Sequence, residues 1–196
     1  KNINNGLPVK IRIGSYAGSD NQGDNCIGIG LNAGYYNQSS SGIAIGLDAG
    51  NQEQGSNGIS IGEKAGFSSQ LSNSIAIGSN SGYQSQMLNS IAIGNLAGQN
   101  SQNSNSIGLG YKAGNQNQGS KTIAIGYEAG SIDQGNNSIA IGNQAGVTQQ
   151  AENSIIINAT NSQLNNNSGN SGLYINPIRN DIKKNIIQYD NINKEL

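Results

Sequence analysis

Side chains that commonly carry catalysis are few and irregularly spaced in this sequence. The chain has no His, the residue that most often transfers protons near neutral pH. The acidic residues share no common spacing, so they do not predict a pair of carboxylates for acid–base catalysis. They are Asp20, Asp24, Asp48, Glu53, Glu63, Glu128, Asp133, Glu152, Asp181, Asp190 and Glu195. We therefore predict no catalytic site, no metal site and no bound cofactor, in a protein that is not an enzyme.

Glycine and glutamine recur in patterns that superficially suggest ligand binding. Gly28, Gly30 and Gly34 resemble a dinucleotide-binding loop, but no helix follows and the same glycines return along the chain, which favours turns. Identical amides stacked one above another can hydrogen-bond as a ladder, so we interpret the glutamine column as structural rather than as a ligand-binding row. Its members are Gln22, Gln38, Gln54, Gln70, Gln86, Gln102, Gln118, Gln134 and Gln150.

Several aromatic residues follow the glycines, where their rings could stack on sugars. Their irregular placement favours exposed corner residues over a binding site, although binding of carbohydrate stays an alternative. These residues are Tyr35, Tyr36, Phe67, Tyr83, Tyr111 and Tyr127. The single cysteine, Cys26, is predicted to be a small buried filler.

One four-residue motif sets the elements that would position these side chains. Ile-x-Ile-Gly begins at Ile11 and returns with a constant 16-residue period and no insertion, ending in a degraded tenth copy at Ile155. A fixed period of this kind indicates a repeat architecture. Alternation in Ile-x-Ile is typical of a short strand, and the following Gly and a later Ala-Gly mark two turns. We predict an all-β fold, a parallel β-roll or β-solenoid of about ten 16-residue coils, over residues 11–157.

The isoleucines are expected to fill the interior of each coil, with the small middle residue of Ile-x-Ile on the outside. Burial of two Ile and one Ala does not offset the entropy lost in ordering a whole coil, so a second buried surface is needed. A small outer residue would let another chain approach closely. We therefore predict a homo-oligomer with the middle column at its axis.

Charge and hydropathy argue against two classes of partner. The net charge is −1 and the Lys and Arg residues are scattered, so neither a nucleic-acid footprint nor docking on an anionic membrane is predicted. No apolar run approaches the ~20 residues that span a bilayer, so no membrane insertion is predicted.

Three segments flank the array. Residues 1–10 are predicted to be an N-terminal lead-in or cap. Residues 158–171 are rich in Asn and Ser and indicate a polar linker or a loosened last coil. Residues 172–196 are predicted to form a strand-turn-strand segment, with strands at 172–180 and 185–190.

The repeat motif resembles that of a known family. Asn-Ser-Ile-Ala-Ile-Gly-x-x-Ala-Gly, as at Asn89 to Gly98, is similar to the head repeat of YadA-type trimeric adhesins. The resemblance covers residues 11–157 and implies left-handed parallel β-rolls standing three side by side, hence a homotrimer. The 16-residue period is longer than the family's commonest repeat, so the fold carries over better than any binding surface.

The C-terminal segment is similar to one that follows such repeats in fibre and tail proteins of large DNA viruses and phages. The similarity lies in Asn176-Pro177-Ile178-Arg179 and in Lys194-Glu195. It implies a structural surface fibre or adhesin head, a viral fibre or spike component that projects from the particle and contacts the host, with further chain beyond Leu196. The expected location is the virion surface, or an extracellular or cell surface. The expected partners are two further copies of the chain and a host-surface glycan or protein receptor.

Other functions stay open. One is a bacterial adhesin head like those of trimeric autotransporters, and another is a carbohydrate-binding module that uses the amide columns or the aromatic residues. An ice-binding solenoid would need a flat Thr-rich column, and only Thr122, Thr148 and Thr160 exist. The sequence does not identify the residues that would bind a receptor.

Overall fold

Sixteen short strands make up the regular part of the chain, in a computed structural model that describes residues 8–166 and 169–178. The strands are β1 (Ile11–Ile13), β2 (Ile27–Ile29), β3 (Ile43–Ile45), β4 (Gln52–Gln54), β5 (Ile59–Ile61), β6 (Ser68–Gln70), β7 (Ile75–Ile77), β8 (Gln84–Gln86), β9 (Ile91–Ile93), β10 (Asn100–Gln102), β11 (Ile107–Leu109), β12 (Gln116–Gln118), β13 (Ile123–Ile125), β14 (Ile139–Gly142), β15 (Ser154–Asn158) and β16 (Gly172–Asn176). No helix occurs within these residues.

The strands form two parallel sheets. One has eleven strands and contains every Ile-x-Ile segment, in the order β1-β2-β3-β5-β7-β9-β11-β13-β14-β15-β16. The other has five strands, in the order β4-β6-β8-β10-β12, and isolated bridges prolong it at both ends. Within the array each residue of an Ile-x-Ile strand pairs with its equivalent in the next repeat, as Ile27 does with Ile43. The predicted all-β solenoid of 16-residue coils is confirmed.

Each coil closes through residues in the left-handed region of backbone conformation. In the coil that begins at Ile91, the positive φ angles are 126° at Gly94, 60° at Leu96, 51° at Gly98, 59° at Ser101 and 60° at Asn105. Glycine adopts such angles without steric cost, and Asn adopts them more readily than most side chains. The abundance of Gly and Asn in the sequence is thus explained by five left-handed positions in each coil.

The small middle residue of each Ile-x-Ile strand points into the coil, and the isoleucines point outward. Ala44 is fully buried, whereas Ile43 and Ile45 on either side of it are only partly buried. The same pattern recurs in β2, β5, β7, β9 and β13. The prediction that isoleucines fill the interior is wrong, and so is the placement of the middle column at an oligomer axis.

The interior is too narrow for isoleucine because it is crossed by glutamine. Gln54 Nε2 donates to the main-chain oxygen of Ile43 in the opposite sheet, at 2.8 Å. A Cβ atom added to Gly50 would lie 3.3 Å from the Ala44 Cβ. The lumen therefore has room for one extended amide side chain and for small residues on the facing strand. Branched side chains at the Ile positions are left outside.

The last described coils change this interior from polar to apolar. Ile156 occupies the middle position of β15, where the regular coils carry Gly, Ala or Ser, and is fully buried against Ala140 and Ala145, with Leu164 and Tyr174 packed on the cluster. Strand β16 pairs with β15 so that Ile155 faces Leu173. The paired residues Ile155 and Leu173 are 18 positions apart, whereas equivalent residues of the regular coils are 16 positions apart. The predicted strand at 185–190 and most of the predicted lead-in lie outside the described residues.

Candidate functional site

The glutamine column is buried and forms the predicted amide ladder. Gln22 Nε2 donates to Gln38 Oε1 at 2.9 Å, and Gln38 Nε2 donates to Gln54 Oε1 at 3.0 Å. Similar bonds join Gln70 to Gln86, Gln86 to Gln102, and Gln118 to Gln134. From Gln38 onward, each glutamine also donates to the main-chain oxygen of the first isoleucine of its own coil. The amide nitrogens of these glutamines therefore tie the two sheets together inside the coil.

The residue in the middle of each Ile-x-Ile strand decides how two glutamines meet. Between Gln54 and Gln70 lies Ser60, which accepts from Gln54 Nε2 at 3.2 Å and donates to Gln70 Oε1 at 2.7 Å. Arg12 occupies the same position in the first coil, where its Nε donates to Gln22 Oε1 at 2.6 Å. The ladder is therefore bridged once by a hydroxyl and capped at its first carbonyl by a guanidinium.

Two glutamine carbonyls are left without a partner among the described residues. They are Gln118 Oε1 and Gln150 Oε1, both buried. Their neighbours in the middle column are Gly108 and Ala140, which have no hydroxyl to donate. These atoms face a closed, narrow lumen, so they mark weak points of the ladder rather than a place for a ligand.

Cys26 lies in the column that closes each coil and is fully buried, as predicted. Its Sγ points to the main-chain oxygen of Ser39 at 2.9 Å. Burial raises the pKa of the Cys26 thiol above its ordinary value, against smaller opposing effects of backbone hydrogen bonds from Gly42 and Ser41 and of the Lys10 ammonium. A thiol kept protonated in this way is a poor nucleophile at neutral pH, because the thiolate is the reactive form.

The acidic side chains do not come together. Among residues 8–166 and 169–178, no group of three or more His, Cys, Asp or Glu residues could hold a metal ion. The ion pairs found there are Lys10 with Asp24, at 3.6 Å, and Lys112 with Glu128, at 3.9 Å. Both lie at the surface, where such pairs contribute little to stability.

The aromatic residues, by contrast, are brought together by the stacking of coils. Phe67 and Tyr83 stack with ring centroids 5.1 Å apart, and Tyr111 stacks on Tyr127 at 5.4 Å. Tyr16 meets Tyr35 edge to face at 6.3 Å. Sequence spacing alone hides the last pair, because Tyr16 and Tyr35 stand at different positions of the repeat. The signal that could have found the stacked pairs is an aromatic residue at the same position of adjacent repeats.

Two rows of side chains enclose an open groove of about 580 Å³, which we call the aromatic groove. One row holds the residue two positions after the first glycine of four successive coils, where the backbone is left-handed. The other row holds the residue that follows the second glycine of each coil. The rows are Tyr16, Asn32, Asp48 and Lys64 on one side, and Tyr35, Asn51, Phe67 and Tyr83 on the other. Of the six aromatic residues singled out in the sequence, Tyr35, Phe67 and Tyr83 line this groove.

A polar network forms the floor of the aromatic groove. Asp48 Oδ1 accepts from Asn32 Nδ2 at 2.9 Å and from Asn51 Nδ2 at 3.1 Å. Asn51 Nδ2 also donates to the main-chain oxygen of Asn32 at 3.3 Å, and Asn51 is only 7 % exposed. Within the part of the chain that the structure describes, no bond reaches Asp48 Oδ2, Asn51 Oδ1 or Lys64 Nζ. Fixed acceptors and one cation are thus free to meet a ligand.

The second surface of note is the outer face of the eleven-stranded sheet, which we call the isoleucine face. Its two columns contain the first and third residues of every Ile-x-Ile strand. Exposure in these columns reaches 58 % at Ile13 and 41 % at Leu109, and strand β16 extends the face with Leu173, which is 51 % exposed. A continuous apolar face of this kind has no cover within residues 8–166 and 169–178.

Comparisons with protein-family models, with curated proteins and with solved structures returned no match. In the described residues, no helix is long and apolar enough to cross a membrane.

Proposed function

We propose that this chain is a non-catalytic structural rod that associates with two further copies of itself and is displayed on a virion or cell surface, where it contacts a host. The observation that carries the proposal is the isoleucine face. Ile75 and Ile77 flank a buried Ala76 and turn their side chains outward, and the neighbouring coils repeat this arrangement.

The size of the isoleucine face supports association of copies. Ten rungs about 4.8 Å apart and strands about 10 Å long make a strip of roughly 480 Å². The largest contiguous apolar patch on a typical soluble monomer covers about 300–600 Å² and often serves a function, so a strip of this size is a candidate interaction site. The strip repeats the same residues in constant register from one coil to the next, so an identical strip can pack along it. The number of copies, three, is what the resemblance to YadA-type heads implies.

The regular main-chain hydrogen bonding between coils supports a structural role. Every coil bonds to the next through both sheets and through its turns, as Gly46 does to Ile29 at 2.8 Å. Repeat proteins of this kind extend in one dimension by stacking units on their neighbours, and they present long surfaces. A viral fibre or spike is the proposed setting, following the resemblance of the C-terminal segment, and a bacterial adhesin head is the alternative.

Association is tested by light scattering and sedimentation equilibrium on the purified chain. We expect a homotrimer, and a monodisperse, stable monomer would overturn the proposal. The double variant Ile77→Lys, Ile93→Lys places two like charges on adjacent rungs of the isoleucine face and should dissociate the trimer. The matched control is Leu71→Lys, Leu88→Lys, because both leucines are exposed on another side of the coil. This control should leave the trimer intact.

The surface role is tested on the native particle or cell. Labelled antibody against the rod, viewed by electron microscopy, should decorate the exterior of the particle. Labelling confined to the interior of a host cell or particle would contradict the proposed location.

A further inference from the structure

We propose that the aromatic groove binds a neutral oligosaccharide. The inference deepens the proposed surface role by naming the chemical class of the host partner, and it rests on that role for its biological meaning. The groove stands on the turn that follows each Ile-x-Ile strand, so association through the isoleucine face leaves it open.

The first argument is a gap in a column of aromatic rings. Tyr35, Phe67 and Tyr83 share one position of the repeat, and Asn51 is the small residue between Tyr35 and Phe67. Those two aromatic residues are therefore two rungs apart, about 9.6 Å. Phe67 already stacks on Tyr83 with one face, so its other face turns toward the rung of Asn51. The space over Asn51 therefore lies between Tyr35 and the open face of Phe67, where a sugar ring can stack on the Phe67 ring.

The second argument is the polar floor beneath this gap. Asn32 and Asn51 hold Asp48 in place by bonds of 2.9 and 3.1 Å to one carboxylate oxygen. The other carboxylate oxygen and the Asn51 carbonyl can accept from sugar hydroxyls. A few oriented polar groups beneath aromatic walls are the usual composition of a specific ligand site.

The third argument is charge. The groove contains one carboxylate, Asp48, and one ammonium group, Lys64, so its formal charge is zero. A sialylated or sulfated sugar would gain no net attraction there, because the Lys64 ammonium attracts its charge and the Asp48 carboxylate repels it. A neutral sugar meets the same donors and acceptors without the cost of desolvating a charged group. The geometry therefore favours uncharged pyranosides over acidic ones.

Binding is tested by saturation-transfer NMR and calorimetry with chitotriose, N-acetyllactosamine, maltotriose and sialyllactose. We expect at least one of the three neutral sugars to bind, and to bind more tightly than sialyllactose. Absence of binding by all neutral probes, or tighter binding of sialyllactose, would overturn the inference.

Two variants locate the site. Asn51→Phe fills the gap with a ring that can stack as Phe67 and Tyr83 do, and Phe67→Leu removes a flat face while keeping an apolar side chain. Each should weaken binding at least about tenfold without lowering the thermal midpoint greatly. Tyr111→Ala is the matched control, because Tyr111 is aromatic and exposed but lies outside the groove. Binding unaffected by Asn51→Phe, or lost equally in Tyr111→Ala, would contradict this placement.

The outcome is separable from that of the proposed function. A monomeric chain that binds neutral sugar would contradict the proposed trimer and support the sugar site in the aromatic groove. A trimer that binds none of the probes would support the proposed trimer and contradict the sugar site.

Discussion

At the scale of single residues, the glutamine column shows why one side chain is used throughout. Gln86 Nε2 donates to the Ile75 oxygen at 2.8 Å and to Gln102 Oε1 at 3.1 Å, while Gln86 Oε1 accepts from Gln70. Glutamate could accept but not donate, and leucine could do neither. Only a neutral amide of this length both spans the lumen and bonds along the rod.

The unpaired carbonyl of Gln150 gives a first prediction. Ala140→Ser places a hydroxyl at the position that Ser60 holds relative to Gln70, facing the glutamine that needs a donor. The new bond should raise the free energy of unfolding by about 1 kcal/mol, because a buried acceptor regains a partner. Chemical denaturation followed by circular dichroism measures the change.

The matched control for this prediction is Ala76→Ser. Ala76 lies between Gln70 and Gln86, which already bond to each other at 3.0 Å. The added hydroxyl meets no unpaired carbonyl, so we expect no gain, or a loss from burying a further polar group. Equal effects of the two substitutions would show that the empty acceptor of Gln150 is not the cause.

Cys26 gives a prediction that depends on pH. Because burial raises the pKa of its thiol, the folded chain keeps the proton at pH values where the unfolded chain has lost it. The protonated thiol's contribution to the free energy of unfolding is fully present below about pH 8.5, the ordinary pKa of a thiol. It is lost as the pH rises through the pKa of Cys26 in the folded chain. Cys26→Ser should remove this loss and still fold, since Ser closes five other coils.

The measurement is the difference in unfolding free energy between the native chain and Cys26→Ser, taken from about pH 7 to about pH 10. We expect the difference to shift against the native chain by at most about 1.4 kcal/mol per pH unit above about pH 8.5. A difference that stays constant over this range would contradict the account.

At the scale of elements, the sequence predicts the strands and turns but not which face of the strand is inside. Period-2 alternation places Ile75 and Ile77 together and Ala76 opposite, and burial of large apolar side chains favours the isoleucines as core. The structure has the opposite arrangement, with the middle residue inside, because glutamine from the other sheet fills the lumen and leaves no room for isoleucine. The informative signal is the restriction of the middle position to Gly, Ala and Ser in the eight coils from Gly28 to Ala140, which marks the more crowded side.

The aromatic groove is harder to foresee than the strands. Tyr35 and Phe67 belong to coils that are not adjacent in the sequence, and Asp48 stands at a different position of the repeat. They share a groove only because the coils stack in register and a residue of one row reaches the other row in the preceding coil. The bond from Asn51 to the main-chain oxygen of Asn32 shows this offset. Sequence patterns identify the exposed rings; the stacking of coils decides which rings share a groove.

Turn geometry gives a prediction for a whole coil. Leu96 holds φ at 60°, a left-handed angle that costs a branched or apolar residue about 1 kcal/mol. Asn32 and Asn80 occupy the same position in other coils, at 55° and 54°. Leu96→Asn should therefore raise the free energy of unfolding by about 0.5 kcal/mol or more, since Asn tolerates this angle better.

The control is Asn80→Leu, the reverse change at an equivalent turn, which should lower the free energy of unfolding by a similar amount. Both values come from denaturant unfolding. A gain from both substitutions, or a loss from both, would show that side-chain contacts rather than backbone angle decide stability at this position.

At the scale of the whole molecule, the rod behaves as a stack of equivalent units closed at the ends. The Arg12 guanidinium covers the first carbonyl of the glutamine ladder, and Ile156 replaces the ladder with apolar packing at the other end. Between these ends each coil touches mainly its two neighbours. In such repeat proteins stability is a sum of unit and neighbour terms, so units can be removed from the middle.

Deleting residues 91–106, one complete coil, is the test of this modularity. The deletion joins Ser90 to Ile107, which reproduces the Ser106–Ile107 junction of the native chain. It should preserve the circular dichroism spectrum and shorten the rod by about 4.8 Å in small-angle X-ray scattering. The aromatic groove lies in earlier coils, so any sugar binding should persist. Deleting only residues 91–98 moves the glutamine column out of register, and because the lumen admits no other arrangement, that chain should fail to fold.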